Sequence, residues 1–510
     1  MLRFGLFSPS ANKALLRNVA AAAKRRGPGR KRSGGRRDDQ QGRWSSADRS
    51  YTDVASNRSV REAQREDDGY RFFVACHPFL QEITASELSA DTIAAYDIVP
   101  GKSGVHFKGR TLATGYAACL WLRTGIRVEV LLAEAQLPVN REAGDTIYDF
   151  TRECAHWPDL LKKDQSISVR CHVWSCTNIS NSQLATKRIR DAVCDAMRDA
   201  GYPRPPPPGT SERRPSQQLV ADLPLYASIF RDRISLYRDL SGESLHRRGY
   251  RFMMHRAVLN EATAAGMLYV AGWDQLVEER NDAVFADPMC GSGTLLCEAG
   301  LMARNIAPGS FRTKWPFQQW PDYNPKQWEK LMYHADEVVN RKWQGKLLGC
   351  EIHPRAWQMA RIVTHNAKVR EMCTMENINC ANWVPRPAPD LVVTNPPWGI
   401  RLTDDRILAG LEQSWRDLGT FFRTACPGRE VFALSGDPEL TRHVGMRASR
   451  KYPLTVGGVD CRLLKYDVYQ QRDDNPEFDG SESKNREKGE KKESSGSIML
   501  DSDKLAWERN

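Results

Sequence analysis

At 510 residues the chain exceeds what one compact core accommodates, and a rule of roughly 150 residues per domain predicts two or three domains. A hydrophobic content of 41% supports sizeable cores, yet no apolar run approaches the roughly 18 residues of a membrane-spanning helix, so no membrane partner is expected. The net charge of +11 favours a polyanionic partner, although a basic terminal segment alone would produce it.

In chain order, residues 1–37 contain no acid, while Arg3, Lys13, Arg17, Lys24, Arg25 and Arg26 are among the bases. With Leu2, Phe4, Leu6, Phe7, Leu15 and Leu16 in its first half, this stretch resembles an organellar transit peptide, implying a mitochondrion or plastid. The alternative is a nucleic-acid-binding or nucleolar arm of a nucleolar or cytoplasmic protein. Residues 1–68 are read as an unfolded basic leader.

A first folded block, 69–240, mixes strands and helices. Arg71–Ala75, Gly104–Lys108, Arg127–Ala133 and Ser166–Trp174 are predicted strands, the last from the alternation of Ile167, Val169, Cys171 and Val173. Pro78–Ser89 and Tyr116–Arg123 are predicted helices. Ser182–Ala200 is a third, because Ile189, Val193 and Met197 recur every four residues. Lys187, Arg188 and Arg190 near its start are candidate RNA contacts. Pro203 and the run Pro205–Pro208 force a surface loop, and Leu225–Phe230 with Ile234–Tyr237 reads as a hairpin. The whole suggests a small α+β module.

The second block, 241–470, alternates strands (Ala283–Ala286, Lys346–Gly349, Leu391–Thr394, Glu430–Ser435) with helices (Thr294–Arg304, Arg355–Val369). Such alternation predicts a mainly parallel sheet covered on both faces, hence an α/β class. Residues 471–510 are too polar to fold and read as a charged tail. The 13 cysteines include no pair at two-residue spacing; they imply a reducing compartment, and no metal is expected. Cys171 and Cys176 are assigned to core packing.

Two motifs in the second block carry chemistry. Asp287-Pro288-Met289-Cys290-Gly291-Ser292-Gly293-Thr294 ends one predicted strand and opens a helix, so its glycines form a tight turn that lets the chain approach a ligand. Asp287, Cys290, Gly291, Ser292, Gly293 and Thr294 are candidate cofactor contacts. An acid ending the next strand holds ribose hydroxyls in nucleotide sites, which nominates Glu351. It lies well beyond the usual spacing of about 20 residues, so Asn305–Gln344 must be an insertion. Trp315, Trp320, Trp328 and Trp343 are expected to anchor that insertion to the core rather than stack on RNA.

The second motif is Asn395-Pro396-Pro397-Trp398. An aromatic amine is a poor nucleophile because its lone pair is delocalised, and two acceptors on its N–H bonds pull it toward tetrahedral geometry. The Asn395 side-chain carbonyl and the Pro396 backbone carbonyl suit that role, Pro396 and Pro397 stiffen the loop, and Trp398 offers a stacking face. In this order the two motifs predict methyl transfer from S-adenosylmethionine to a planar nitrogen, on a base taken out of its stack.

These residues resemble the THUMP-domain RNA methyltransferases, in particular the bacterial enzymes that methylate guanine N2 in large-subunit rRNA. The most specific pieces are Leu240–Arg251, Asp287–Glu298 and Asn395–Gly399; Asn181-Ser182-Gln183 with Lys187 looks like the RNA-binding module's helix. The resemblance implies a ferredoxin-like and THUMP platform followed by a Rossmann-like class I methyltransferase domain, with S-adenosylmethionine as cofactor and rRNA as partner. A monomer is expected. Some relatives fuse a second methyltransferase domain, which is not expected within these residues. Two departures stand out: Trp398 occupies a place usually held by Tyr or Phe, and Asn379, Cys380 and Asn382 stand where an acid would bind the cofactor's adenine amine, which nominates Asn382.

Three other readings remain. A tRNA guanine-N2 methyltransferase differs only in substrate. Enzymes acting on DNA adenine or a protein glutamine share the Asn-Pro-Pro-aromatic motif, but a basic α+β module suits RNA better. A non-catalytic RNA-binding ribosome-assembly factor is the reading from another class, against which the intact Asp287, Gly291, Gly293, Asn395 and Trp398 count.

Overall fold

The computed structural model describes residues 69–208, 220–251, 259–398 and 405–470, with the basic leader, the charged tail, Gly399 and part of the proline-rich segment lying outside them. The front of the chain runs β1 (Tyr70–Cys76), α1 (Gln81–Leu88), β2 (Tyr96–Pro100), β3 (Gly104–Gly109), α2 (Leu112–Trp121) and β4 (Gly125–Gln136). Strand order β2-β3-β1-β4, all antiparallel, makes this a ferredoxin-like βαββαβ unit. After α3 (Ala143–Glu153), β5 (Ile167–Trp174) and α4 (Ser182–Asp199) follow, then the predicted hairpin β6 (Leu223–Phe230) and β7 (Arg233–Asp239). It extends the same sheet to seven strands, order β2-β3-β1-β4-β7-β6-β5.

Local chemistry explains these elements. Asn181 caps α4 by accepting from the backbone N–H groups of Gln183 (2.8 Å) and Leu184 (3.2 Å). Ile189, Val193 and Met197 form the buried stripe of α4, and Cys171 joins them in the core.

The second block begins with α5 (Glu261–Ala271) and α6 (Trp273–Glu279), then β8 (Val284–Asp287), α7 (Thr294–Ala303), α8 (Pro325–Glu337), β9 (Lys346–Cys350), α9 (Pro354–Asn366), β10 (Cys373–Glu376), β11 (Leu391–Thr394), α10 (Asp405–Ala425), β12 (Glu430–Ser435), β13 (Arg450–Val456) and β14 (Val459–Asp467). Its sheet has the order β10-β9-β8-β11-β12-β14-β13. The first five strands are parallel, as expected, whereas β14 pairs antiparallel with both β12 and β13. Order reverses beside β8, the switch point where doubly wound sheets open a crevice at their carboxyl edge.

Two features bind front to back. The insertion 305–344 buries Trp315, Phe317, Trp320 and Trp328 in the front module's core, Phe317 stacking on Tyr116 at 4.3 Å, while Trp343 meets Trp273 of the second block. All four tryptophans are buried, so they anchor the insertion. The segment after β7 supplies the second tie. The Arg248 guanidinium donates to the carbonyls of Leu245 (3.0 Å), Leu122 (3.4 Å) and Arg123, and to Glu298 on α7 (3.3 Å). Glu298 also accepts from the Tyr250 hydroxyl at 2.8 Å.

Candidate functional site

The site lies where β8, β9, β10 and β11 end on one edge of the second sheet. After β8 the chain turns through Gly291 (φ +54°) and Gly293 (φ +81°), a backbone that disfavours side chains. A Cβ on Gly291 would meet nothing within 4 Å, so this turn faces open space, whereas one on Gly293 would press on Ala360 of α9 at 3.2 Å. The first glycine therefore leaves room for a ligand and the second lets two helices approach.

Glu351, directly after β9, faces this turn. Its Oε2 accepts from the Gly291 N–H (2.9 Å) and its Oε1 from the His353 N–H (2.8 Å). Each carboxylate oxygen has lone pairs beyond these, so the arrangement fixes the acid while leaving it able to accept ribose hydroxyls. Asn382, in the short turn Cys380–Asn382 beyond β10, is exposed at the same edge. Asn379 is already committed, accepting from the Ala381 N–H and donating to Asp417 (2.8 Å). Ser292 is half-buried beside Gly291.

Other predicted contacts are placed differently. The Cys290 side chain is buried against Gly349 in the core, and burial raises its thiol well above the ordinary range, so only its backbone borders the turn. The Thr294 hydroxyl is buried and accepts from Arg251, itself paired with Glu261 at 3.4 Å. Asp287 is 2% exposed and accepts from the Met289 N–H (3.1 Å) and the Thr394 hydroxyl (2.7 Å). Burial in this pocket pushes its carboxyl up to about 7, with the Glu351 charge adding to the effect. These three residues shape the site from beneath, a distinction that residue type and spacing do not reveal.

Asp287 and Thr394 join the two motifs. Because Thr394 ends β11, their bond sets Asn395-Pro396-Pro397-Trp398 beside the glycine turn. Two indoles hold that loop. Trp415, fully buried on α10, donates its Nε1–H to the Pro397 carbonyl at 3.0 Å, and Trp398 donates to Asn395 Oδ1 at 2.9 Å. The Trp398 ring is half-buried, packing against the cores on both faces of the sheet and lying over Gly436 just after β12. The expected free stacking face is thus largely taken up by packing, and Asn395 Oδ1 keeps one lone pair beyond its indole partner. Neither Trp415 nor Gly436 stands in a motif that marks it in the sequence; a glycine directly after a predicted strand is the one local signal.

The candidate RNA contacts divide similarly. Lys187 is exposed on α4. Arg188 donates to the Gly144 carbonyl (3.0 Å) and pairs with Asp145, while Arg190 donates to the carbonyls of Ile167 (3.1 Å) and Pro205 (3.3 Å). Both arginines therefore hold the module together. Among the described residues no helix is long and apolar enough to cross a membrane, and no group of three His, Cys, Asp or Glu is placed to hold a metal.

Residues 248–465 match the family described as RMKL-like, methyltransferase domain, and residues 71–129 match the RlmL ferredoxin-like domain. A ribosomal RNA large subunit methyltransferase K/L of Syntrophotalea carbinolica is 34% identical over 80% of this chain and 55% of its own length. The protein of the same description from Pseudomonas paraeruginosa is 33% identical over 79% of this chain and 53% of its own. The chain thus spans about half the length of the curated relatives it matches. Among solved structures, a predicted N6-adenine-specific DNA methylase from Listeria monocytogenes superposes with a TM-score of 0.65 at 24% identity, covering 80% of this chain and 98% of that one, which shows a shared fold. By these matches residues 248–465 form an RMKL-like methyltransferase domain, preceded by an RlmL ferredoxin-like domain at residues 71–129.

Proposed function

We propose that the chain is an S-adenosylmethionine-dependent RNA methyltransferase that forms N2-methylguanosine in large-subunit rRNA. The observation that carries this reading is the Asp287–Thr394 bond, which puts an open glycine turn and an amide-and-carbonyl loop at the ends of adjacent strands. The printed description of the relatives, ribosomal RNA large subunit methyltransferase K/L, supports RNA as the substrate class and the large subunit as its source.

The residues present fit the cofactor. The Gly291 turn, the Glu351 carboxylate and the exposed Asn382 amide would hold its amino-acid, ribose and adenine parts respectively. When bound, S-adenosylmethionine supplies a methyl group on an electrophilic sulfonium. Asn395 Oδ1 and the Pro396 carbonyl accept the two N–H bonds of the target amine, drawing its lone pair out of conjugation. The Pro397 carbonyl is held by Trp415, so the loop keeps its shape without help from the substrate. No general base is required, because the amine becomes acidic once methylated.

Residues 137–239, which extend the ferredoxin-like sheet, would serve as a THUMP-type platform for RNA. Supporting this, Lys187 is exposed, and Trp174 and Phe230 present paired rings (5.6 Å apart, 41% and 39% exposed) on which bases can stack. The acid-free stretch 1–37 of the leader supports import into an organelle. Fusing residues 1–68 to a fluorescent protein tests that, and a cytosolic or nucleolar signal would overturn it.

Mass spectrometry of rRNA nucleosides from cells with and without the gene tests the function. Loss of one N2-methylguanosine from large-subunit rRNA is expected. Unchanged rRNA, or loss of a different methylated base, would sink the proposal.

A further inference from the structure

Asn395 can serve an amine only if its carbonyl, and not its NH2, points at the substrate. The two ends of an amide are nearly the same size, so shape alone does not choose between them. Here the choice is made by Trp398. An indole nitrogen is a donor only, and Trp398 Nε1 lies 2.9 Å from Asn395 Oδ1, which settles the amide's orientation. The indole in turn is fixed from behind. A Cβ on Gly436 would come within 2.9 Å of Cε3 and Cζ3 of Trp398, closer than carbon atoms approach one another, so only glycine leaves room for the six-membered ring. The ring also packs against both faces of the sheet.

We infer that Trp398 is a positioning residue, whose indole N–H locks the Asn395 carbonyl toward the target amine, and that Gly436 is the space that permits an indole there. A phenyl ring at 398 would fill part of the same volume without any donor. This role differs from that of a face on which the base stacks, and it rests on the amine-methylation reading above.

The test combines turnover with spectroscopy. Trp398→Phe should lower kcat about three- to tenfold, the worth of one net hydrogen bond, while KM for RNA and the Kd for S-adenosylmethionine stay within about twofold. Gly436→Ala reaches the same bond from outside and should lower kcat comparably, yet have little further effect in the Trp398→Phe background. In protein carrying 15N-labelled tryptophan, the indole resonance missing from Trp398→Phe should shift in Asn395→Ala. Wild-type turnover in Trp398→Phe would overturn the inference. So would a rise in KM at constant kcat, the signature of base stacking, or an indole resonance indifferent to Asn395→Ala. Should Trp398→Phe fail to fold, Gly436→Ala and the resonance decide. If the wild-type protein methylates no RNA, the functional reading fails, whereas the resonance still reports whether the bond exists.

Discussion

Replacing Arg248 by Met should destabilise the protein by about 3–5 kcal/mol, because it strands a charge that has no route to water. Arg248 and Glu298 are 1% and 0% exposed. The guanidinium serves three carbonyls, of Leu122, Arg123 and Leu245, besides the carboxylate, so its loss removes every one of those donors at once. Glu298 would retain the Tyr250 hydroxyl as partner. Two of the orphaned carbonyls belong to the front module and the acid to α7, so the cost falls on the junction between the ferredoxin-like unit and the methyltransferase domain. Urea denaturation of purified wild-type and Arg248→Met protein, followed by circular dichroism and by tryptophan fluorescence, measures it. The double variant Arg248→Met/Glu298→Leu should recover part of the loss, since it removes the buried charge while leaving the carbonyls unmet. A loss under about 1 kcal/mol in Arg248→Met, or a double variant no more stable than Arg248→Met, would contradict a stranded buried charge.

Three further outcomes are expected. The Asp287 carboxyl, raised by burial to about 7, takes up its proton in the native state before the unfolded one, so this group's penalty on stability is full above pH 7 and is relieved as pH falls toward about 4. Asp287→Asn should therefore gain stability over wild type at pH 8, by up to a few kcal/mol, and lose that advantage near pH 4; parallel melting profiles would contradict it. Lys187→Ala should weaken RNA binding regardless of sequence and reduce the log–log salt slope by about one, as measured by filter binding between 50 and 200 mM salt; an unchanged slope would move the RNA surface elsewhere. Glu351→Ala should weaken S-adenosylmethionine binding about tenfold or more in calorimetry, through lost ribose contacts and a loosened glycine turn, and wild-type affinity would remove Glu351 from the site.

What could be read ahead of the structure follows from how local each signal is. The Asp287–Thr294 turn and the Asn395–Trp398 loop announce themselves because glycine, proline and amide requirements are met within a few consecutive residues. β5 and α4 were legible because one buried face imposes a period. α5 was not: most of its residues are buried all round, so no stripe exists to find. β2 lies at a sheet edge, mostly exposed, and its apolar residues do not alternate cleanly. The β13–β14 hairpin does carry a local signal, Gly457-Gly458 between two strands, both glycines at positive φ. The site's inner arrangement was out of reach for a different reason. That Thr294 serves Arg251, that Cys290 packs on Gly349, and that the Trp398 ring lies over Gly436 are facts about neighbours distant in sequence. Residue types establish what a group can do, whereas its partner decides what it does.

Amine methylation at the Asn395–Trp398 loop is tested by methyl transfer from labelled S-adenosylmethionine to rRNA by wild type and by Asn395→Ala, with cofactor affinity determined for both. Wild type should transfer label to guanine N2, and Asn395→Ala should bind the cofactor as tightly while turning over about two to three orders of magnitude more slowly. Absence of cofactor binding by the wild-type protein, or undiminished turnover in Asn395→Ala, would contradict the account.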